Sequence, residues 1–217
     1  MGLLNELKLQ AALCTDQQIE LNDCIYIGLR LGEVIAHEKL QDLDLSKVPK
    51  QIRSCLYNCM KKCTQLKYLH MGSGHGGWLS ENFNNRFYTP LLEQFHHLVI
   101  LKFHHDCTDH LINLLTQNNS STLKILDFSY SQNVSDVSAE NIAKCYNLQE
   151  LELVGSGVTI KAVVYILSNC LKLIKVNAVK LAQVLQHLQP QQKLSLQGIL
   201  NILIFALQGI LIPIRKY

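Results

Sequence analysis

Seven of the chain's nine histidines fall between His70 and His110, and the stretch His104-His105-Asp106-Cys107-Thr108-Asp109-His110 is rich in groups that ligate metals or carry protons. Structural zinc takes about four ligands in a tetrahedron, supplied as spaced cysteine and histidine pairs. The stretch holds one thiol and no cysteine pair, so a polar, hydrogen-bonded strand end is expected and no metal. A nucleophilic thiol needs a base held against it. Cys107 has three histidines close in sequence, but proximity on a strand-to-helix turn orients none of them, and no catalytic residue is assigned. His104 is expected to project from the strand and Cys107 to turn inward. Cys55, Cys59 and Cys63 repeat every four residues along one helix face, a pattern read as core packing because free cysteine behaves as a small hydrophobe.

Gly72-Ser-Gly-His-Gly-Gly77 fits the spacing G-x-G-x-x-G. A dinucleotide site also needs a helix opening at the third glycine and an acid about twenty residues on, at the end of a second strand. Trp78-Leu-Ser-Glu-Asn-Phe-Asn-Asn-Arg-Phe follows instead, and no cofactor is expected. The segment reads as a flexible insertion at a strand end that offers Trp78, Arg86, Phe87 and Tyr88, residue types that dominate protein interfaces.

A repeat must position all of these residues. The skeleton Leu-x-x-Leu-x-Leu occurs as Leu4-Leu7-Leu9, Leu40-Leu43-Leu45, Leu66-Leu69-Met71, Leu98-Leu101-Phe103, Leu123-Leu126-Phe128, Leu148-Leu151-Leu153 and Leu173-Val176-Ala178. The last six copies begin 26, 32, 25, 25 and 25 residues apart. Between copies lie amphipathic stretches expected to be helical, Thr108–Thr116, Ser135–Lys144 and Thr159–Ser168, with Ser135 and Thr159 as N-caps. A cysteine stands three residues before the leading leucine at Cys63, Cys145 and Cys170. One strand and one helix per period cannot bury their apolar face alone and must stack on the next copy.

These features resemble the cysteine-containing class of leucine-rich repeats, and Cys145-Tyr-Asn-Leu-Gln-Glu-Leu-Glu-Leu-Val-Gly-Ser-Gly-Val-Thr resembles the repeats of F-box/leucine-rich-repeat proteins. The resemblance implies an α/β solenoid, a horseshoe with parallel strands on the concave face and helices on the convex one. It spans residues 1–189, is clearest over 36–178, and is followed by an apolar tail, 190–217. It further implies a non-enzymatic, protein-binding module like the substrate-recognition repeats of an SCF-type ubiquitin ligase subunit, with a ubiquitylation substrate, a Skp-type adaptor and a cullin as partners. Residues 1–39 contain nothing like an F-box, which leaves open a fragment, a relative that lost it, or a scaffold with no ubiquitin role.

In such a skeleton the residues flanking the second and third apolar positions face outward. The expected partner-binding rows are therefore Tyr68 and His70; Lys102 and His104; Asp127 and Ser129; Glu150 and Glu152; Lys175 and Asn177, joined by Trp78 and Arg86 from the insertion. No basic stripe with interleaved aromatics runs along them, which disfavours nucleic acid.

Charge is unevenly spread. Residues 1–152 hold thirteen Lys and Arg against seventeen Asp and Glu, whereas residues 153–217 hold seven against none. Leu194–Ile214 is an uncharged run of 21 residues, long enough to span a bilayer, but it is diluted by Gln197, Asn201, Gln208, two glycines and Pro213. A cap on the solenoid, a membrane anchor and a tail unrelated to the fold are the three readings. Met1-Gly-Leu-Leu-Asn-Glu6 lacks a secretory pattern, so the expected location is cytoplasmic, with the nucleus or a membrane surface reached through the tail as alternatives.

Overall fold

A computed structural model describes residues 6–7, 39–46, 48, 56–57, 59–71 and 81–177. The chain alternates strand and connection: β1 (Glu6–Leu7), β2 (Asp42–Asp44), β3 (Tyr68–His70), α1 (Glu81–Leu92), β4 (Ile100–Lys102), α2 (Asp109–Asn119), β5 (Ile125–Asp127), α3 (Ala139–Ala143), β6 (Glu150–Glu152), α4 (Ile160–Asn169) and β7 (Lys175–Asn177). The seven strands form one all-parallel sheet in sequence order.

Register follows the leucine skeleton. Leu43 pairs with Leu69, Leu69 with Leu101, Leu101 with Leu126, Leu126 with Leu151 and Leu151 with Val176. Each of these central residues is buried between two half-buried neighbours. The leading residues Leu40, Leu66, Leu98, Leu123 and Leu148 and the trailing Leu45, Met71, Phe103, Phe128 and Leu153 are buried as well. A slip of one residue would turn every central leucine to solvent, at about 2 kcal/mol per side chain, so the stack admits one register. Burying both flanks of so short a strand requires a helix layer behind it. Leu111, Ile112 and Leu115 of α2, Ile142 of α3, and Val163 and Ile166 of α4 join the strand leucines in one core.

Polar ties lock successive turns together. Thr108 caps α2 by accepting from Leu111 N at 3.3 Å. The neighbouring Asp109 carboxylate reaches forward one period and accepts from Ser135 N (2.9 Å), Ser135 Oγ (2.6 Å) and Ser138 Oγ. Asp136 repeats the device on Thr159, accepting from its N–H and its hydroxyl at 2.6 Å each. Asn119, fully buried at the end of α2, reaches back instead: its Oδ1 accepts from Leu98 N at 2.9 Å and its Nδ2 donates to Phe95 O at 2.8 Å and Leu115 O at 3.1 Å.

Several expectations are corrected. Residues 81–92 form a helix, where the sequence suggested a flexible insertion. Tyr88, Leu91 and Leu92 are buried at i, i+3 and i+4, which outweighs the hydrogen bond that Pro90 removes from the last turn. Tyr88 therefore belongs to the core, its ring edge-on to Phe103 at 4.8 Å, and is no interface residue. The stretch from Ser135 divides into a 3-10 turn, Asp136–Ser138, and the short α3; Ser135 caps the turn. Thr159 occupies the N-cap of α4 but makes no side-chain cap bond; its hydroxyl donates to Asp136. Cys55, the Gly72–Gly77 run and the tail from residue 178 lie outside the described residues. No helix among the described residues is long and apolar enough to cross a membrane.

Candidate functional site: the exposed strand face

The parallel register lines up the outward-facing residues in two rows. The first runs Asp42, Tyr68, Ile100, Ile125, Glu150 and Lys175 across β2 to β7; the second runs Asp44, His70, Lys102, Asp127, Glu152 and Asn177. All of them are half-buried, as expected of side chains standing side by side on a sheet. Successive members stand about 4.8 Å apart.

The second row carries a chain of polar contacts. His70 Nδ1 lies 3.4 Å from Asp44 Oδ1, the His70 and His104 rings meet edge-on at 5.3 Å, and His104 Nε2 lies 2.8 Å from Asp127 Oδ2. His104 projects from the end of β4 as expected, while Cys107 turns fully inward. Ser129 is 8 % exposed and serves Asp127, donating to Oδ1 through its hydroxyl at 2.6 Å and its N–H at 3.0 Å. Burial pushes the Asp127 carboxyl up, but the bonds from His104 and Ser129 together outweigh it and hold it at about 2. Asp44 is likewise lowered against its burial, by Ser46 and His70. His70 is lowered, chiefly by burial, with Asp44 opposing. Both carboxylates are ionised at neutral pH.

At the far side Lys175 Nζ bridges Glu152 Oε1 (2.6 Å) and Glu150 Oε2 (3.3 Å), and the Glu152 bond is the main reason its ammonium is held above its ordinary value. Tyr68 is raised by burial first and then by Asp44 and Asp42.

Of the residues that the sequence reading expected on this face, Tyr68, His70, Lys102, Asp127, Glu150, Glu152, Lys175 and Asn177 stand on these rows. His104 and Ser129 lie two residues beyond Lys102 and Asp127, past the strand ends, and Ser129 is buried rather than exposed because it is turned onto the Asp127 carboxylate. Arg86 stands apart, exposed on α1 in the helix layer, and Trp78 is outside the described residues. The reading missed Asp42 and Asp44, although they flank Leu43 as Tyr68 and His70 flank Leu69. It also missed the strand-end aromatics. His105 (φ 65°), Tyr130 (φ 63°) and Gly155 (φ 70°) each sit seven residues after their leading leucine, in the left-handed region. The His105 and Tyr130 rings stack at 5.2 Å, and a Cβ on Gly155 would come within 2.9 Å of Tyr130 Cδ1.

The thiols have little chemistry to offer. Burial pushes Cys145 up to about 12 and Cys170 to about 11, and raises Cys107 further still. Cys170 Sγ points at the carbonyls of Ile142 (3.6 Å) and Cys145 (3.7 Å) one turn back, a packing role for the cysteine that precedes β7. Among the described residues no group of three or more His, Cys, Asp or Glu is arranged to hold a metal.

No known protein family and no curated protein matches the sequence. Among solved structures, the chain is similar to one in the crystal structure of the Rad7 and Elc1 complex in yeast, at 18 % identity and a TM-score of 0.43. The match covers 80 % of this chain and 50 % of that one, so this chain spans about half the length of its structural neighbour.

Proposed function

We propose that the chain is a leucine-rich-repeat solenoid that recognises another protein through its strand face and acts by binding, without catalysis or a cofactor. The observation that carries this reading is the face itself: six adjacent parallel strands present two aligned rows in which aliphatic, aromatic, acidic and basic groups alternate. Core logic does not require Ile100 and Ile125 to point outward, since the helix layer is served by Leu101 and Leu126. Solenoids use such open, varied surfaces for extended contacts. The buried, unreactive thiols fit binding better than nucleophilic chemistry.

Within that role, the repeats work as the substrate-recognition part of an SCF-type ubiquitin ligase subunit, the assembly suggested by the likeness of their motifs to F-box/leucine-rich-repeat proteins. Purification of the full chain from expressing cells tests this. Recovery of a Skp-type adaptor and a cullin is the expected result, and their consistent absence while other proteins are retained overturns the ligase assignment and leaves a scaffold.

A further inference from the structure

The two rows differ in kind. Tyr68, Ile100 and Ile125 make an apolar strip in the middle of the first, closed by Asp42 on one side and Glu150 on the other. The second row sets Asp44, Asp127 and Glu152 around His70 and Lys102. Counting Asp42, Asp44, Asp127, Glu150 and Glu152 against Lys102 and Lys175, the two rows carry five carboxylates and two ammonium groups. Lys175 is shared by two glutamates, and Asp127 and Asp44 are held ionised by the hydroxyl and N–H groups of Ser129 and Ser46 together with His104 and His70.

We propose that this face binds an extended protein segment in which basic residues alternate with aliphatic ones. The proposal rests on reading the face as a docking surface and names its occupant. Neighbouring rows are two residues, about 7 Å, apart along the strands, and an extended chain crossing them projects alternate side chains to opposite sides. One set meets the strip of Tyr68, Ile100 and Ile125, and the other meets the carboxylates. From Asp44 on β2 to Glu152 on β6 is four strand spacings, about 19 Å, which six extended residues cover. Tyr130 adds a second, separate feature. Its ring is 53 % exposed beside the Asp127 end of β5, stacked on His105, in a backbone conformation that costs a tyrosine of order 1 kcal/mol and that the next repeat assigns to Gly155. An ammonium or guanidinium leaving the carboxylate row can stack on that ring.

The test is fluorescence anisotropy of the full chain with three labelled decapeptides, alternating Lys-Leu, Glu-Leu and Lys-Ser. The Lys-Leu peptide is expected to bind at least tenfold tighter than either other. Raising salt from about 0.1 to 0.5 M, which shortens screening from about 10 to 4 Å, is expected to weaken it severalfold. The shape-conserving pair Asp44→Asn with Glu152→Gln is expected to cost at least fivefold, and Ile125→Ser or Tyr130→Gly a smaller but measurable factor, with circular dichroism verifying the fold of each variant. Equal binding of the Lys-Leu and Glu-Leu peptides, or Lys-Leu binding indifferent to the carboxylate pair, overturns the proposal. If the Glu-Leu peptide binds better and loses affinity with Ile125→Ser, the docking face stands and the basic occupant falls. If no peptide responds to any face variant, both fall.

Discussion

Removing the Asn119 side chain tests how the turns are held to one another. Asn119 is fully buried, and its amide joins two turns through Leu98 N at 2.9 Å and Phe95 O at 2.8 Å. Asn119→Ala leaves that donor and that acceptor buried without a partner, at about 1–3 kcal/mol each, whereas the Leu115 carbonyl is a helix acceptor that loses little. The expected cost is about 3 kcal/mol. With a urea slope near 2.5 kcal/mol/M for a chain of this size, the unfolding midpoint falls by about 1.2 M. The neighbouring Asn118→Ala, at a half-buried position, shifts it by under about 0.2 M, the surface-substitution range of roughly 0.5 kcal/mol. Circular dichroism and tyrosine fluorescence followed together through urea titrations supply the measurement. Equal midpoints for the two variants would refute the assignment of Asn119 as a tie between turns.

Other perturbations have definite signs. Asp127 is held at about 2 in the folded chain against an unfolded value of 3.8, so its stabilisation is present above pH 4 and is lost as pH falls toward 2. Asp127→Asn should remove up to about 2 kcal/mol of acid sensitivity in that window, read by urea titrations at pH 5 and pH 2.5. Gly155→Ala should destabilise by about 1–2 kcal/mol, combining a left-handed backbone with the Cβ contact on Tyr130, and about 1 kcal/mol should remain when Tyr130→Gly removes the contact. Thermal midpoints of the single and double variants separate the two parts. Cys107, Cys145 and Cys170 should resist alkylation at pH 8 in the native chain and react at once in urea, which mass spectrometry resolves residue by residue.

The sheet was legible because a fixed period dictates register. Once Leu98, Leu123 and Leu148 are set 25 residues apart, Lys102, Asp127 and Glu152 must stand in line. The helix α1 was hidden by its own composition: three asparagines and Pro90 argue against a helix, and only the buried Tyr88, Leu91 and Leu92 override them. The acid ties were half visible. Thr108-Asp109 and Ser135-Asp136 read as helix starts, yet nothing local says that each aspartate serves the following turn. The left-handed positions were harder to see, because His105 and Tyr130 are not turn-forming residues; alignment with Gly155 was the available signal. At the site, contacts along the strands followed from spacing, whereas the coupling of His70 to Asp44 and of His104 to Asp127 depends on side-chain reach between strands, which no single-strand pattern contains.

The central claim is that the strand face, and not the helix layer, is where this chain meets its partner. The direct measurement compares the proteins retained by the native chain with those retained by two variants, each verified as folded: Asp44→Asn with Glu152→Gln on the strand face, and Tyr165→Ala on the exposed side of α4. The account predicts that the strand-face variant loses the native set of bound proteins and that Tyr165→Ala keeps it. Retention by the strand-face variant together with loss on Tyr165→Ala would contradict the account.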